Sequence, residues 1–301
     1  MRPCSRPLNT ILGKICLGTV QFGLDYGVTN TRGMVRPAEV REILKLAVSA
    51  GIGKLDTAAA YGKSEEILGL SDLKGFKVYT KFQHPPETGI IGDWVRTNAE
   101  ESLRRLGLEK LSGVYVHSPD ELLSSQGSSL FRALTDLKDL GLIEKIGVSV
   151  YHPEQLDRLL SEYPFQLAQF PLSILDQRFL GGDRLSRWKG LGLELHARSV
   201  FLQGTLLTEA DALPDFFHPW TGYWKRLIEW RRSLNVSPVG SCLYPILGIP
   251  QIDAVVLGVD GLAHLEDIIR TLTEYSELEM PAELACEDKE LILPYLWKLQ
   301  K

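Results

Sequence analysis

The chain alternates short runs of aliphatic and β-branched residues with stretches whose apolar positions recur at helical spacing. Runs of this length, bounded by turn residues, predict buried strands. These runs are residues 15–19, 53–57, 77–81, 113–117, 144–150, 166–170, 193–197 and 254–258. Between them, amphipathic helices are predicted in stretches that include 37–51, 94–107, 130–141 and 153–163. A glycine before the next strand is typical of a helix stop, and such glycines occur at Gly51, Gly107, Gly141 and Gly192.

Eight strands with intervening helices over about 250 residues are the count and size of a (β/α)8 TIM barrel, in the α/β class. We therefore expect a single barrel domain over residues 1–301. A doubly wound open sheet is the rival fold. The absence of G-x-G-x-x-G after the first strand, and the repetition of the unit to the eighth strand, favour the barrel. The longest stretch without a clear period, residues 199–235, would lie at the carboxyl-terminal mouth, where a functional lid would be.

Composition and charge narrow the classes of function. The 301 residues include 44% hydrophobic and 24% charged residues, as in globular proteins generally. A formal net charge of -5 argues against a nucleic-acid partner, which needs a concentrated basic face. No apolar run predicts a membrane span or a signal peptide, so a cytoplasmic protein is expected. The cysteines lie far apart and predict reduced, partly buried thiols with no metal site; they are Cys4, Cys16, Cys242 and Cys286.

Candidate reactive groups occur where three of the predicted strands end. The second ends in Asp56, the third in Lys81 and the fourth in His117, and Tyr61 follows Asp56 after a short loop. Singly, each residue is explained as readily by helix capping, solvation or packing. Together they suit proton transfer, because an ammonium lowers the pKa of a tyrosine and a carboxylate can hold that ammonium in place. With a histidine bonded to the substrate oxygen, the set predicts a proton relay for carbonyl–alcohol interconversion, with the hydride supplied from elsewhere.

Several blocks of this sequence resemble the aldo-keto reductase superfamily. They are LGTVQFG (17–23), GIGKLDTAAAYGKSEEILG (51–69), YTKF (79–82) and VYVHSPD (114–120), with further similarity through 141–151, 167–178, 196–207 and 255–268. The resemblance implies a TIM barrel that reduces a small aldehyde, ketone or sugar-like substrate with NADP(H) or NAD(H), bound without a Rossmann fold. It also implies a catalytic tetrad at Asp56, Tyr61, Lys81 and His117, with Tyr61 as the general acid.

The resemblance implies a cofactor site as well, although the match is less complete. Val150 and Val200 replace an asparagine and a proline that are usual in the family. Arg198 stands where many members place an aromatic ring that stacks on the nicotinamide; a strand-end salt bridge is the alternative role for it. The implied cofactor residues are Thr19, Ser149, Gln169, Arg198, Ser199, Phe201, Gln203, Gly204, Gly258 and His264.

The stretch after the eighth strand bears on cofactor preference. Family members that select NADPH usually place cations there to hold the 2′-phosphate, but here Gly258 and His264 occupy those positions, with Asp260 and Asp267 nearby. A histidine is mostly neutral at pH 7 and is a weak phosphate anchor. We therefore expect a weak preference for NADPH, with NADH also used. Asp260 could alternatively serve as the N-cap of the last helix.

Two other functions fit parts of the sequence. The β subunits of potassium channels resemble the same family, so a nicotinamide-binding regulatory subunit is one alternative. A Schiff-base lyase that uses Lys81 is another. Further along the chain, His196 is expected to be a hydrogen-bonded core residue. Trp220, Tyr223 and Trp224 could either line a substrate pocket or hold the long loop down.

Overall fold

A closed barrel of eight parallel strands forms the centre of the molecule. The computed structural model describes residues 2–3, 7–83 and 89–298, so Cys4 lies outside the described residues. All eight predicted strands are present: β1 Ile15–Gly18, β2 Lys54–Asp56, β3 Lys77–Phe82, β4 Gly113–Val116, β5 Ile146–Ser149, β6 Leu167–Pro171, β7 Glu194–Arg198 and β8 Ala254–Gly258. Strand β8 pairs with β1 and closes the ring. The predicted TIM barrel is confirmed.

Helices connect the strands and surround the barrel. The α-helices are α1 Leu8–Leu12, α2 Val20–Gly23, α3 Pro37–Ser49, α4 Ser64–Gly69, α5 Ile91–Leu106, α6 Gly127–Asp139, α7 Pro153–Glu162, α8 Arg184–Gly190, α9 Thr221–Ser233, α10 Pro238–Leu247, α11 Leu262–Thr273 and α12 Lys289–Ile292. Short 3-10 helices span Pro119–Leu123, Arg178–Leu180, Thr205–Leu207, Ala210–Ala212, Asp215–Trp220, Ala282–Leu284 and Pro294–Leu296. The two-residue strands Arg2–Pro3 and Ser276–Glu277 pair antiparallel outside the barrel.

The helices follow from the apolar spacing of the sequence. Helix α3 buries Val40, Ile43, Leu44 and Ala47, which recur at three- and four-residue spacing and so lie on one face. Helix α5 is terminated by Gly107, the residue after its last turn. The φ of Gly107 is 65°, a left-handed conformation that glycine adopts without steric cost. None of the helices in the described residues is long and apolar enough to cross a lipid bilayer.

A polar cluster fills the amino-terminal half of the barrel interior, and we call its residues the barrel floor: Tyr79, Tyr115, Lys145, Glu194 and His196. His196 is fully buried, with Nδ1 2.8 Å from the Tyr115 hydroxyl and Nε2 2.8 Å from Glu194 Oε1. The Tyr79 hydroxyl donates to the same carboxylate at 3.2 Å, and Lys145 pairs with its other oxygen. The prediction that His196 is a hydrogen-bonded core residue is confirmed.

The stretch 199–235 is more regular than its composition indicated, because it contains helix α9. Trp224, Leu227, Ile228 and Arg231 are buried at helical spacing, and the proline- and glycine-rich flanks hid that period in the sequence. The Trp224 indole donates to Thr205 O at 2.8 Å. That bond lies within the segment, and the Trp220 indole donates to Asp288 Oδ2 outside it at 2.8 Å. Trp220 therefore holds the segment to the rest of the molecule, the second of the two roles considered for it.

Candidate active site

A cavity of about 400 Å³ opens at the carboxyl ends of the barrel strands. Its volume is in the range of small-molecule sites, about 300–1,000 Å³. All fourteen residues predicted for the site line it: Thr19, Asp56, Tyr61, Lys81, His117, Ser149, Gln169, Arg198, Ser199, Phe201, Gln203, Gly204, Gly258 and His264. Trp220, Tyr223 and Trp224 are not among the lining residues. Of the long segment after β7, the lining residues all lie within 199–208.

A buried ion pair lies at the base of this cavity. Lys81 Nζ is 2.5 Å from Asp56 Oδ1 and donates to Thr57 O at 3.0 Å, while Gln169 Nε2 donates to Asp56 Oδ2 at 2.7 Å. Burial lowers the pKa of Lys81, but the Asp56 carboxylate and the Tyr61 hydroxyl outweigh burial, so the net pKa is raised. The group is therefore an ammonium at neutral pH. A Schiff-base lyase needs a neutral amine, so this environment argues against a lyase function for Lys81.

Tyr61 lies directly beside this ammonium. Lys81 Nζ is 5.0 Å from the centroid of the Tyr61 ring. Burial raises the pKa of Tyr61, whereas the Lys81 charge lowers it; burial is the larger influence, and the net shift is upward. The ammonium thus acts in the predicted direction without setting the net shift. At neutral pH Tyr61 carries its proton, as a proton donor requires.

The loop that carries Tyr61 is held by side chains that the sequence reasoning did not single out. Ser64 Oγ donates to Thr19 Oγ1 at 2.8 Å, and Thr19 Oγ1 donates to Asp56 O at 3.0 Å. The buried Glu65 accepts from Thr80 Oγ1 at 2.6 Å and from Arg105 Nε at 2.8 Å. These contacts explain why serine and glutamate follow the tyrosine in the block at 51–69, which was the signal that could have identified them.

His117 enters the cavity from the end of β4. Its backbone N–H donates to Phe82 O at 3.1 Å, which continues the β3–β4 pairing one step beyond Lys81. Strand pairing thereby brings the ends of β2, β3 and β4 side by side. Asp56, Tyr61, Lys81 and His117, hereafter the relay residues, meet at one wall of the cavity.

On the next strands, an amide and a hydroxyl face the cavity side by side. Ser149 on β5 and Gln169 on β6 are register partners, and both are buried. Gln169 Oε1 is buried without a hydrogen-bond partner among the described residues. A buried acceptor without a donor costs about 1–3 kcal/mol. An amide N–H of a ligand would satisfy it, so this position fits the carboxamide of a nicotinamide.

The backbone after β7 is strained where it lines the cavity. Ser199, Leu202 and Gln203 have φ values of 63°, 46° and 54°, and Gly204 has 88°. Left-handed conformations at residues other than glycine cost about 1–3 kcal/mol each and concentrate at ligand sites. Successive turn conformations also direct backbone N–H groups into a concave surface that suits an anion. This segment fits a cofactor pyrophosphate.

The loop between β1 and α3 contacts this strained segment. Thr29, between β1 and α3, donates from Oγ1 to Gln203 O at 3.4 Å. A Cβ added to Gly204 would lie 1.9 Å from Thr29 Oγ1, so the contact requires glycine at position 204. Sequence reasoning did not identify this contact, because the two residues are far apart in the chain.

The far end of the cavity lies after β8. Asp260 N donates to His264 Nδ1 at 3.4 Å. Gln21 donates from Nε2 to Asp260 Oδ1 at 3.3 Å and fills the space over Gly258, where a Cβ would lie 2.5 Å from that nitrogen. Gln21 was not predicted.

An arginine and a glutamate border this end. Arg32 Nη1 donates to Asp260 O at 2.9 Å, and the guanidinium pairs with both oxygens of Glu39 at 3.1 and 3.0 Å. Leu262 N, at the start of α11, also donates to Glu39 Oε1 at 2.9 Å. The helix is therefore capped by Glu39, and the alternative of an Asp260 N-cap is wrong. The hydrogen bond from Leu262 and the Arg32 charge lower the pKa of Glu39, which keeps it a carboxylate.

Arg198 borders the cavity at the end of β7. Its guanidinium carbon is 4.3 Å from the centroid of the Tyr151 ring, Nη2 donates to Val150 O at 3.2 Å, and Nη1 donates to Ser199 Oγ at 3.2 Å. The strand-end salt bridge considered for it is not formed with any residue in the described part of the chain. Two lining tyrosines near it, Tyr26 and Tyr151, were not predicted.

The described residues contain no cluster of three or more His, Cys, Asp or Glu side chains that could hold a metal ion. Buried thiols are present at Cys16, Cys242 and Cys286. Burial raises the pKa of Cys16 and, to about 12, that of Cys242. Cys16 and Cys242 are therefore unreactive thiols in the interior.

Several known proteins are similar to this chain in sequence. The sequence profile of the Aldo/keto reductase family matches residues 14–284. The chain is 29% identical to aldo-keto reductase YhdN of Bacillus subtilis over 186 residues. This aligned stretch covers 54% of this chain and 51% of that protein. It is 31% identical over 134 residues to D-arabinose 1-dehydrogenase of Saccharomyces cerevisiae, 41% of this chain and 40% of that protein. The chain thus spans about half or less of the length of these relatives.

Solved structures share the fold. The holo form of aldo-keto reductase AKR11C1 from Bacillus halodurans superposes with a TM-score of 0.69 at 19% identity, covering 90% of this chain and 89% of that one. The apo form of the same protein superposes with a TM-score of 0.68 at 21% identity, covering 87% of this chain and 88% of that one.

Proposed function

The chain belongs to the aldo/keto reductase family, and on that premise we propose that it is an NAD(P)H-dependent oxidoreductase that reduces the carbonyl group of a small molecule to an alcohol. The observation that carries the proposal is the buried Lys81–Asp56 pair beside a protonated Tyr61 at the wall of a ligand-sized cavity. Within that cavity the unpaired acceptor of Gln169 supports a site for the nicotinamide carboxamide.

Tyr61 is the general acid of this proposal. Its hydroxyl gives a proton to the carbonyl oxygen as that oxygen gains negative charge. The Lys81 ammonium stabilises the phenolate that remains, and Asp56 holds the ammonium in place. His117 donates a hydrogen bond to the same substrate oxygen. When bound, the reduced nicotinamide supplies the hydride that the carbonyl carbon accepts.

The remaining lining residues are proposed to hold the cofactor. Ser149 and Gln169 bond the carboxamide. Ser199, Gln203 and Gly204, whose φ values are positive, enclose the pyrophosphate together with Phe201. Thr19 supports the wall near the relay residues, and Gly258 and His264 border the far end. Arg198, which the resemblance places among the cofactor residues, lines the same cavity at the end closest to the relay residues, where it is also within reach of a substrate.

For cofactor preference, we propose weak selection of NADPH with real use of NADH. The arginine nearest the far end, Arg32, is already neutralised by Glu39. The Asp260 carboxylate opposes a 2′-phosphate there, and the His264 side chain is a weak phosphate anchor. Fluorescence titration with both reduced cofactors tests this. A dissociation constant at least ~100-fold lower for NADPH, about 2.7 kcal/mol, would contradict it. The variant Glu39→Gln, which frees Arg32, should shift preference toward NADPH.

We further propose that residues 1–301 act as one barrel domain. Contacts of the C-terminal segment with the barrel support this: Gln177 Nε2 donates to Pro281 O at 2.9 Å, and Cys286 N donates to Leu175 O at 2.8 Å. The Trp220 indole also donates to Asp288 Oδ2 at 2.8 Å.

The decisive experiment is a turnover screen with aldehydes, ketones and sugars, measured as oxidation of each reduced nicotinamide. D-arabinose belongs in the panel, assayed in the oxidative direction, because one relative is named as its 1-dehydrogenase. Substrate-dependent turnover is the expected result. Tight nicotinamide binding without turnover on any substrate would favour the regulatory alternative. Trapping of a ketone on Lys81 by borohydride would favour the lyase.

A further inference from the structure

Arg198 presents a positive charge to the cavity next to the relay residues. It is partly exposed, it lines the cavity, and its charge opposes the burial-induced rise in the pKa of Tyr61. Arg198 and Tyr61, the proposed proton donor to the substrate carbonyl, thus line the same cavity within electrostatic range of each other. The Tyr151 ring supports one face of the guanidinium and so limits its orientation.

The donors of Arg198 are only partly used. A guanidinium has five N–H groups. One hydrogen bond to Val150 O and one to Ser199 Oγ account for two of them, and both acceptors are uncharged. No ion pair joins Arg198 to an Asp or Glu within residues 7–83 and 89–298. A half-buried cation with spare donors and no anionic partner there is suited to an anionic ligand.

The cavity also holds the charged side chains of Lys81, Asp56 and Asp260. Lys81 pairs with Asp56, and at the far end Asp260 accepts from the neutral amide of Gln21. Arg198 is therefore the unbalanced cation of the substrate end, with the rings of Tyr26, Tyr61 and Tyr151 around it. Aromatic walls with one fixed cation match a substrate that has an apolar body and one anionic end.

From this arrangement we infer that the preferred substrates are carbonyl compounds bearing a carboxylate or phosphate group, and that Arg198 binds this group. The inference depends on the proposed reductase function and adds the chemical class of the substrate. Arg198 acts here as a specificity residue that places the carbonyl near Tyr61.

Matched substrate pairs test the inference on the unmodified protein. One pair is 4-carboxybenzaldehyde and 4-formylbenzamide, which differ mainly in charge. The other is D-glyceraldehyde 3-phosphate and D-glyceraldehyde. We expect kcat/KM to favour the anionic member by about 10- to 100-fold, as a charged hydrogen-bonded pair provides. A preference within the first pair alone identifies carboxylates as the substrate class. A preference within the second pair alone identifies phosphates.

Variants then locate the effect. Arg198→Gln should raise KM for the anionic member about 10- to 100-fold and change KM for its neutral partner less than about threefold. Arg198→Lys should restore part of the preference, because it keeps the charge without the planar fork. Arg226→Gln is the matched control: Arg226 also stacks on a tyrosine, 4.5 Å from the Tyr223 centroid, but is exposed outside the cavity. Its KM values should not change.

Three outcomes separate the possibilities. Equal kcat/KM within both pairs overturns the role of Arg198 while leaving the reductase function intact. In Arg198→Gln, a higher dissociation constant for the cofactor, with equal losses of kcat/KM for charged and neutral aldehydes, would assign Arg198 to the cofactor. That result also overturns the inference. Absence of turnover with every aldehyde refutes the proposed function itself.

Discussion

The barrel contains two clusters of buried polar side chains, and they differ in how completely they satisfy one another. In the barrel floor, both nitrogens of His196 and both oxygens of Glu194 have partners. At the mouth, the Lys81–Asp56 pair is more deeply buried than the Lys145–Glu194 pair, yet Gln169 Oε1 has no partner among the described residues and faces a cavity. The same interior therefore contains one closed network and one open network.

This difference distinguishes structural from functional polar groups. A fully satisfied network stabilises one arrangement and leaves nothing for a ligand to bond. An open network keeps an acceptor, a cation and strained backbone at a cost to stability, which a ligand can recover on binding. Burial and polarity alone would not separate the two clusters, because Tyr61 and Tyr115 both lie within 6 Å of the Lys81 ammonium, at 5.0 and 5.9 Å from their ring centroids.

The comparison predicts opposite outcomes for these two tyrosines. Tyr61→Phe should lower turnover by about 10²–10⁴-fold while cofactor affinity and melting temperature stay nearly unchanged, because only the acid is lost. Tyr115→Phe should leave turnover within about threefold and destabilise the fold by about 1–2 kcal/mol, because His196 Nδ1 loses its partner. Steady-state kinetics and thermal melts on both variants check this. Unchanged turnover in Tyr61→Phe would remove Tyr61 from the acid role.

Removing the central carboxylate of the floor should act on stability alone. We expect Glu194→Gln to lower the free energy of unfolding by about 2–3 kcal/mol, because bonds to Tyr79, Lys145 and His196 lose their ionic acceptor. That corresponds to a fall in melting temperature of several degrees for a chain of this size. Denaturant titration measures the change. A loss of kcat/KM larger than the loss of folded protein would show that the floor takes part in the reaction.

The pH dependence of stability should reveal the same carboxylate. Bonds from His196 and Lys145, and their charges, hold the pKa of Glu194 well below its ordinary value despite burial, which alone would raise it. A lowered folded-state pKa stabilises the fold above the unfolded pKa of about 4.3, and the stabilisation is lost as pH falls. The stability gap between the natural chain and Glu194→Gln should therefore shrink by about 1 kcal/mol from pH 6 to pH 3.5. A constant gap across that range would contradict the assignment.

The smallest effect should come from paired glutamine variants. Gln169→Leu should weaken binding of the reduced nicotinamide by about 5- to 10-fold, because the proposed carboxamide partner is lost. Gln166 serves as the control, since it is satisfied by Lys138, Ile146 and Pro164 away from the cavity. Gln166→Leu should reduce stability and leave cofactor affinity unchanged. Fluorescence titration that finds equal affinities in both variants would argue against the carboxamide site.

Much of the local structure could be predicted from the sequence, because it depends on neighbours along the chain. The period of the apolar residues predicts the eight strands and helices such as α3 and α5. Helix α9 is the exception, since its flanks of proline, glycine and aromatics resemble a loop while its buried positions still recur at helical spacing.

The sequence by itself determined which chemistry the mouth contains: parallel strands place their ends at one rim, so Asp56, Lys81 and His117 had to lie near one another. Only the tertiary structure decided the balance of their interactions. Burial outweighs the ammonium in setting the pKa of Tyr61, which depends on packing from many elements. Likewise Arg32 Nη1 donates to Asp260 O, a contact between residues 228 positions apart, and this contact places the Arg32–Glu39 pair at the far end of the cavity. Long-range contacts of this kind have no local period, so folding alone creates them.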